Sequence, residues 1–240
     1  MKQNMNIVLP MAGKGSRFKK AGYTDSKPFV DVNGKPMVYR AIEYLNFVFD
    51  EKFKFILICL REDYVRYDFS KFQDCIGHNK YDVVVLDELT EGAAQTVLKV
   101  KEFINNDVPL LIFNSDQLIH YNSLETYKYM EDFDGGIPCF YGEGTEWSYA
   151  KTEDGFVTEV AEKVEISNNA TAGYYYWKKG SDFVKYTEQM IEEKSRTNGE
   201  FYVAPVYNWA IKDGKKIVIS IVDKVTQLGT PKYLEEYLNG

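Results

Sequence analysis

Residues 7–18 read Ile7-Val8-Leu9-Pro10-Met11-Ala12-Gly13-Lys14-Gly15-Ser16-Arg17-Phe18. The first five are an apolar run of the length expected for a strand covered on both faces. The rest is a loop rich in glycine and positive charge. A buried strand that delivers such a loop is the opening of a βαβ unit. The chain repeats the alternation. Apolar runs at 53–60, 81–86 and 110–113 predict three more strands. The intervening stretches 37–49, 62–72 and 92–104, and then 123–130, have helical spacing. In the first of these, Val38, Ile42, Leu45 and Phe49 recur every three to four residues. Together these predict an α/β fold with a parallel sheet.

After Gly135 the texture changes. Strand-like segments recur at 137–141, 156–161 and 172–177. A helical stretch at 182–193, an aromatic segment at 201–209, a strand at 216–221 and a helix at 232–238 follow. No linker, repeat or low-complexity stretch interrupts them. The expectation is one domain over residues 1–240, with a nucleotide-binding half to about 135 and an acceptor-binding or lid subregion from about 136.

The composition narrows the function. The 240 residues carry a net charge of -7, with 45% hydrophobic and 27% charged residues, an ordinary globular balance. A duplex nucleic acid needs a basic footprint, and the run Lys14, Arg17, Lys19, Lys20 is too local to provide one. Cys59, Cys75 and Cys139 are far apart, and His78 and His120 lack metal-ligand spacing. No membrane-length apolar window occurs, so the expected setting is the reducing cytoplasm. The aromatic share of 15% leaves room for a homo-oligomer interface.

In open α/β sheets, ligands bind beyond the carboxyl ends of the strands. The loops after Met11 and Phe113 both belong there. Glycine lets main-chain N–H groups approach a phosphate, and Lys14 and Arg17 add fixed charge. The loop is neither a Walker A motif nor a dinucleotide fingerprint, since Phe18 stands where the latter needs its third glycine. A second basic site, Lys27-Pro28, precedes Asn33-Gly34, a strong turn signal, and Pro36, suited to a first helical position. Pro28 pushes Lys27 towards an extended backbone that aims its ammonium at the glycine loop.

Met11 to Phe18, then Lys27-Pro28, then Gly34-Lys35-Pro36-Met37, resemble the signature of the sugar-phosphate nucleotidyltransferases. The similarity continues through Glu91-Gly92-Ala93-Ala94-Gln95-Thr96, Asn114-Ser115-Asp116, Glu162-Lys163, Ala172-Gly173-Tyr174-Tyr175, Gly199-Glu200 and Leu228-Gly229-Thr230-Pro231. It covers nearly the whole chain and is nearest to short members from capsule biosynthesis.

The resemblance implies a Rossmann-like, GT-A-like, mainly parallel mixed sheet flanked by helices. It also implies Mg²⁺-dependent transfer of a nucleotide from a nucleoside triphosphate to a small phosphorylated acceptor. Met11, Ala12, Gly13, Lys14, Gly15 and Ser16 would wrap the triphosphate, and Arg17 would contact the departing pyrophosphate. Lys27 would steady the α-phosphate and Asp116 would bind Mg²⁺. Lys163 would hold the acceptor phosphate and Glu162 its polyol. Gly173, Tyr174 and Glu200 would flank the acceptor, and Glu91, Gly92 and Ala93 the nucleotide.

Two departures matter. Gln227 stands where many relatives carry a second metal-binding aspartate, which makes Asp223 the candidate replacement. The region Leu86-Asp87-Glu88-Leu89-Thr90 is where thymidine-specific relatives place a base-reading glutamine, with Asp87 the candidate here. A carboxylate there accepts from cytosine N4–H or from a guanine edge, which favours CTP over GTP, UTP and dTTP. Two other readings stay open: a glycosyltransferase of related fold, although its usual Asp-x-Asp is missing, and a non-catalytic nucleotide-binding module.

Overall fold

In a computed structural model that describes residues 5–45 and 53–240, the first apolar run becomes a central strand. The strands are β1 Met5–Pro10, β2 Asp31–Val32, β3 Lys35–Pro36, β4 Phe53–Leu60, β5 Lys80–Leu86, β6 Leu110–Phe113, β7 Gln117–His120, β8 Gly135–Tyr141, β9 Ser148–Glu153, β10 Phe156–Glu162, β11 Asn169–Thr171, β12 Tyr174–Trp177, β13 Ile217–Ile221 and β14 Lys224–Gln227. The helices are α1 Ser16–Lys20, α2 Met37–Glu43, α3 Arg61–Arg66, α4 Phe72–Ile76, α5 Ala93–Leu98, α6 Lys101–Ile104, α7 Ser123–Met130, α8 Gly180–Glu192, α9 Tyr207–Lys212 and α10 Pro231–Asn239.

The main sheet runs β10-β9-β11-β8-β12-β6-β1-β4-β5, with β13 added to β8. Its β6-β1-β4-β5 section is parallel, and β12 joins β6 antiparallel. This is the expected α/β fold with a mixed sheet. The sheet passes without a break from the first half of the chain into the second, through β6 and β12.

Alternate residues along the strands fill two cores. Val8, Ile112 and Trp177 face one layer with α5 and α8, while Ile7, Leu9, Phe113, Tyr174 and Tyr176 face the other with α2. A third, smaller core joins Phe18 from α1, Val30, Met37, Leu118, Leu228 and Leu234 from α10. It clamps the base of the glycine loop.

Several elements differ from the sequence expectation. The helix predicted over 92–104 is two helices, because Lys99 and Val100 close i→i−3 bonds to Thr96 and Val97. The one predicted over 62–72 ends at Arg66, because Tyr67 turns extended and stacks on Phe29 at 3.9 Å. The predicted 37–49 helix is observed as Met37–Glu43, and Phe49 lies outside the described residues. Asn33-Gly34 forms the β2–β3 turn, both residues at positive φ. Pro36 precedes the first helical residue instead of occupying it. Lys27 opens a short 3-10 turn closed by the Phe29 N–H on the Ser26 carbonyl, so it is not extended. No described helix is long and apolar enough to cross a membrane.

Candidate active site

The carboxyl ends of β1 and β6 open into a cleft of about 850 Å³. The glycine loop forms one rim. Gly13, Lys14, Gly15, Ser16 and Arg17 line it, with Ala12 beneath. Gly15 is left-handed at φ 58°, and a Cβ there would press on the Lys27 Cβ at 3.3 Å. That close packing brings Lys27 under the loop. Its Nζ donates to Asp116 Oδ2 at 2.8 Å, an ion pair only partly open to solvent. Lys14 and Arg17 line the same cleft exposed, with no ion pair among the described residues.

Asp116 sits just past the end of β6. Leu228 donates its N–H to the Asp116 carbonyl at 2.8 Å, which draws the β14 end against it. A Cβ on Gly229 would lie 2.5 Å from Asp116 Oδ2 and 3.2 Å from Gln227 Oε1. Two hard oxygens thus crowd the same glycine, and Gln227 Oε1 also accepts its N–H at 3.3 Å. This donor set suits Mg²⁺, which takes few protein oxygens and completes its shell with phosphate and water. No cluster of three or more His, Cys, Asp or Glu side chains suited to a metal occurs among the described residues.

The opposite wall comes from β9, β10, β12 and the 200–204 segment. Lys163 has a left-handed backbone at φ 58°, an uncommon conformation for a side-chain-bearing residue. Its N–H is pinned to the Trp147 carbonyl at 2.9 Å, and its Nζ donates to the Tyr202 hydroxyl at 2.7 Å. Glu162 is buried and accepts from Ser148 Oγ. Burial pushes the Glu162 carboxyl above the usual carboxylate range, against the Ser148 hydrogen bond and the nearby Lys163 charge. Glu200 also lines this wall.

Gly173 lies at φ 75° between β11 and β12, where a Cβ would meet Gln117 Oε1 at 1.6 Å. Its carbonyl accepts the Asn114 N–H, tying the opposite wall to the β6 end. Past β5, Gly92 stands at φ 135° against the main chain of Phe201, where a Cβ would meet the carbonyl oxygen at 2.4 Å. Gly92 and Ala93 line the cleft with Leu89 and Thr90.

Five expected site residues sit elsewhere. Tyr174 points into the core opposite the cleft because β12 alternates, and Tyr175 takes the lining position. Asp223 lies exposed before β14. Four residues from Gln227, at a strand rise of ~3.3 Å, it is roughly 13 Å away along the chain. Asp87 is exposed and held by Arg61, whose hydrogen bond lowers its carboxyl pKa. Met11 is buried under the loop, its N–H on the Ile58 carbonyl. Glu91 turns from the cleft to Arg196 at 2.9 Å. Sequence reasoning missed Ser148, Thr171, Tyr175 and Tyr202 as lining residues. A correct β12 register would have revealed Tyr175, whereas no local signal marks the others.

The comparisons agree with this geometry. The family model described as nucleotidyl transferase matches residues 6–218. A UTP–glucose-1-phosphate uridylyltransferase of Haloferax volcanii is 23% identical over 225 residues, covering 89% of this chain and 86% of that protein. The crystal structure of a nucleoside-diphosphate-sugar pyrophosphorylase from Vibrio cholerae superposes with a TM-score of 0.83 at 26% identity, covering 98% of this chain and 100% of that one. An inositol-1-phosphate CTP transferase from T. maritima shares the fold, with a TM-score of 0.75 at 14% identity over 98% of this chain and 94% of that one. With a family match over most of its length, this chain belongs to the nucleotidyl transferases.

Proposed function

We propose that the protein joins a nucleoside triphosphate to a sugar phosphate or small polyol phosphate and releases pyrophosphate. The observation that carries this reading is the Lys27–Asp116 pair. It bridges the glycine loop and the β6 end at 2.8 Å, in the same cleft whose far wall presents Lys163. Cations for two separate phosphate groups thus flank one open space.

In the reaction, an acceptor phosphate oxygen attacks the α-phosphorus. The new P–O bond forms as the bond to the bridging α–β oxygen breaks, and pyrophosphate departs with that electron pair. A phosphomonoester has its second pKa near ~6 and is largely ionised at neutral pH, so no side chain has to take a proton. The obstacle is repulsion between two anions. Lys27 neutralises the α-phosphate, Lys14 and Arg17 take the leaving group, and Lys163, oriented by Tyr202, holds the acceptor phosphate. Asp116 and Gln227 Oε1 would hold Mg²⁺, which when bound supplies the charge that brings the anions together.

The proposed donor is CTP or UTP: the relative at 23% identity is named for UTP, while solved structures of like fold are named for thymidylyl and CTP transfer and one is a complex with GMP-PN. Leu89, Thr90 and Gly92, which line the cleft, take the base-reading role first given to Asp87. The product, an activated diphosphate, is a donor of the kind a cytoplasmic transferase consumes in building surface polysaccharide.

The test is thermal stabilisation by CTP, UTP, dTTP, GTP and ATP with Mg²⁺. A ligand at ~100 times its Kd stabilises the native state by about 2.7 kcal/mol. A shift with a pyrimidine triphosphate, lost in Lys27→Ala, is expected. A folded sample that no triphosphate shifts at millimolar concentration would sink the reading.

A further inference from the structure

Beneath Glu162 lies a row of buried hydroxyls. Ser148, Glu162, Thr171 and Tyr175 are each more than nine-tenths buried, yet all four line the cleft. Ser148 Oγ donates to Glu162 Oε2. The Tyr175 hydroxyl meets Thr171 Oγ1 at 3.2 Å beside them. An ionised carboxylate only accepts, so in the Ser148–Glu162 bond the hydroxyl donates. That bond engages one carboxylate oxygen, Oε2. The other, Oε1, has no hydrogen-bond partner among the described residues, and Lys163, the nearest cation, is committed to Tyr202.

We propose that Ser148 is a positioning residue of the acceptor site, holding the Glu162 carboxyl in one orientation so that its Oε1 accepts a hydroxyl of the acceptor. The proposal rests on the functional reading above and adds to it the device that sets acceptor selectivity. A site whose acceptor atom is fixed in this way disfavours a ligand that lacks the matching hydroxyl, because the oxygen is then left unpaired. The class selected is a phosphate ester of an uncharged sugar or polyol.

The titration of Glu162 reports on the same contact. Burial raises its pKa, with Glu200 acting in the same direction, while Ser148 and Lys163 oppose the rise. Tyr175 also faces it. Removing the Ser148 hydroxyl takes away a donor that favours the ionised form, so the Glu162 pKa must rise further.

The experiment compares wild type, Ser148→Ala and Ser148→Thr. Calorimetry measures the affinity for glucose 1-phosphate and for its 2-deoxy, 3-deoxy and 4-deoxy analogues in the presence of UTP or CTP. Carboxyl ¹³C NMR of glutamate-labelled protein follows Glu162, assigned with Glu162→Gln. Ser148→Ala should weaken glucose 1-phosphate binding about tenfold or more. It should also flatten discrimination among the deoxy analogues, leave triphosphate affinity within about twofold and raise the Glu162 pKa. Ser148→Thr should restore all of these. An unchanged Glu162 titration and unchanged sugar-phosphate affinity in Ser148→Ala would overturn the proposal. If the Glu162 pKa shifts as expected while no triphosphate binds wild type, the positioning contact stands and the functional reading fails.

Discussion

Gly229 shows how much of this site is set by single atoms. The space a side chain would need there is taken by Asp116 Oδ2 at 2.5 Å and Gln227 Oε1 at 3.2 Å. Gly229→Ala should push Asp116 off Lys27. Turnover should fall by ~10²-fold or more, as when one preorganised charge contact is lost. Melting followed by circular dichroism should change little, because the residue lies in a polar cleft and not in a core. A large drop in melting temperature with normal specific activity would assign Gly229 to folding instead. At this scale the sequence was partly legible. Lys27, Asp116, Lys163 and Glu162 do come together in one cleft, and the resemblance to the family's motifs, not their spacing alone, pointed to them. Tyr174 and Asp223 were misplaced for a different reason. Each depends on a strand phase or a turn position that long-range pairing decides, and the four residues from Asp223 to Gln227 give no sign of where β14 begins.

Among elements, the glycine loop owes its shape to what lies below it. Phe18, the buried residue of the five-residue α1, packs with Leu228 and with Leu234 of α10. So short a helix does not hold itself together. Phe18→Ala should cost about 3–5 kcal/mol in urea denaturation. It should also abolish triphosphate-dependent stabilisation in whatever folded protein remains. Retained nucleotide binding in a destabilised Phe18→Ala would show that the loop keeps its form without the clamp. Strands β1, β4, β5 and β6 could be read from the sequence, because short, largely apolar runs alternate there with stretches of helical spacing. Strand β9, Ser148–Glu153, could not. It is short and half polar, and exists because β10 and β11 pair with it. The expected single helix over 92–104 failed at Val100, a break that no proline or glycine announces.

At the scale of the molecule, the cleft is bought with stability. Glu162 is a buried carboxyl whose pKa is raised chiefly by desolvation. For a group raised in the folded state, the ionised form is the disfavoured one. Its penalty is absent below the unfolded pKa, grows as pH rises through the window between the unfolded and folded values, and is complete above the folded value. Glu162→Gln, which can still accept from Ser148, should therefore melt higher than wild type at pH 7 and show little difference at pH 4. Binding of a sugar phosphate should weaken at the same time. Equal melting temperatures of the two proteins at both pH values would remove the penalty. The sheet architecture was legible at this scale, since βαβ alternation leaves few topologies. How the second half wraps the cleft was not. It hangs on contacts such as Gly173 to Asn114 and Gly92 to Phe201, where two backbones touch and no side-chain pattern records the event.

The third core has a temporal side. The glycine loop rests on Leu228 and on Leu234 of α10, more than two hundred residues after it. A polypeptide leaving the ribosome can pair its first strands early. The floor under its glycine loop stays incomplete until α10 emerges, since Val30, Met37 and Leu118 supply only part of it. Synthesis itself is thus expected to postpone triphosphate binding until α10 has been made.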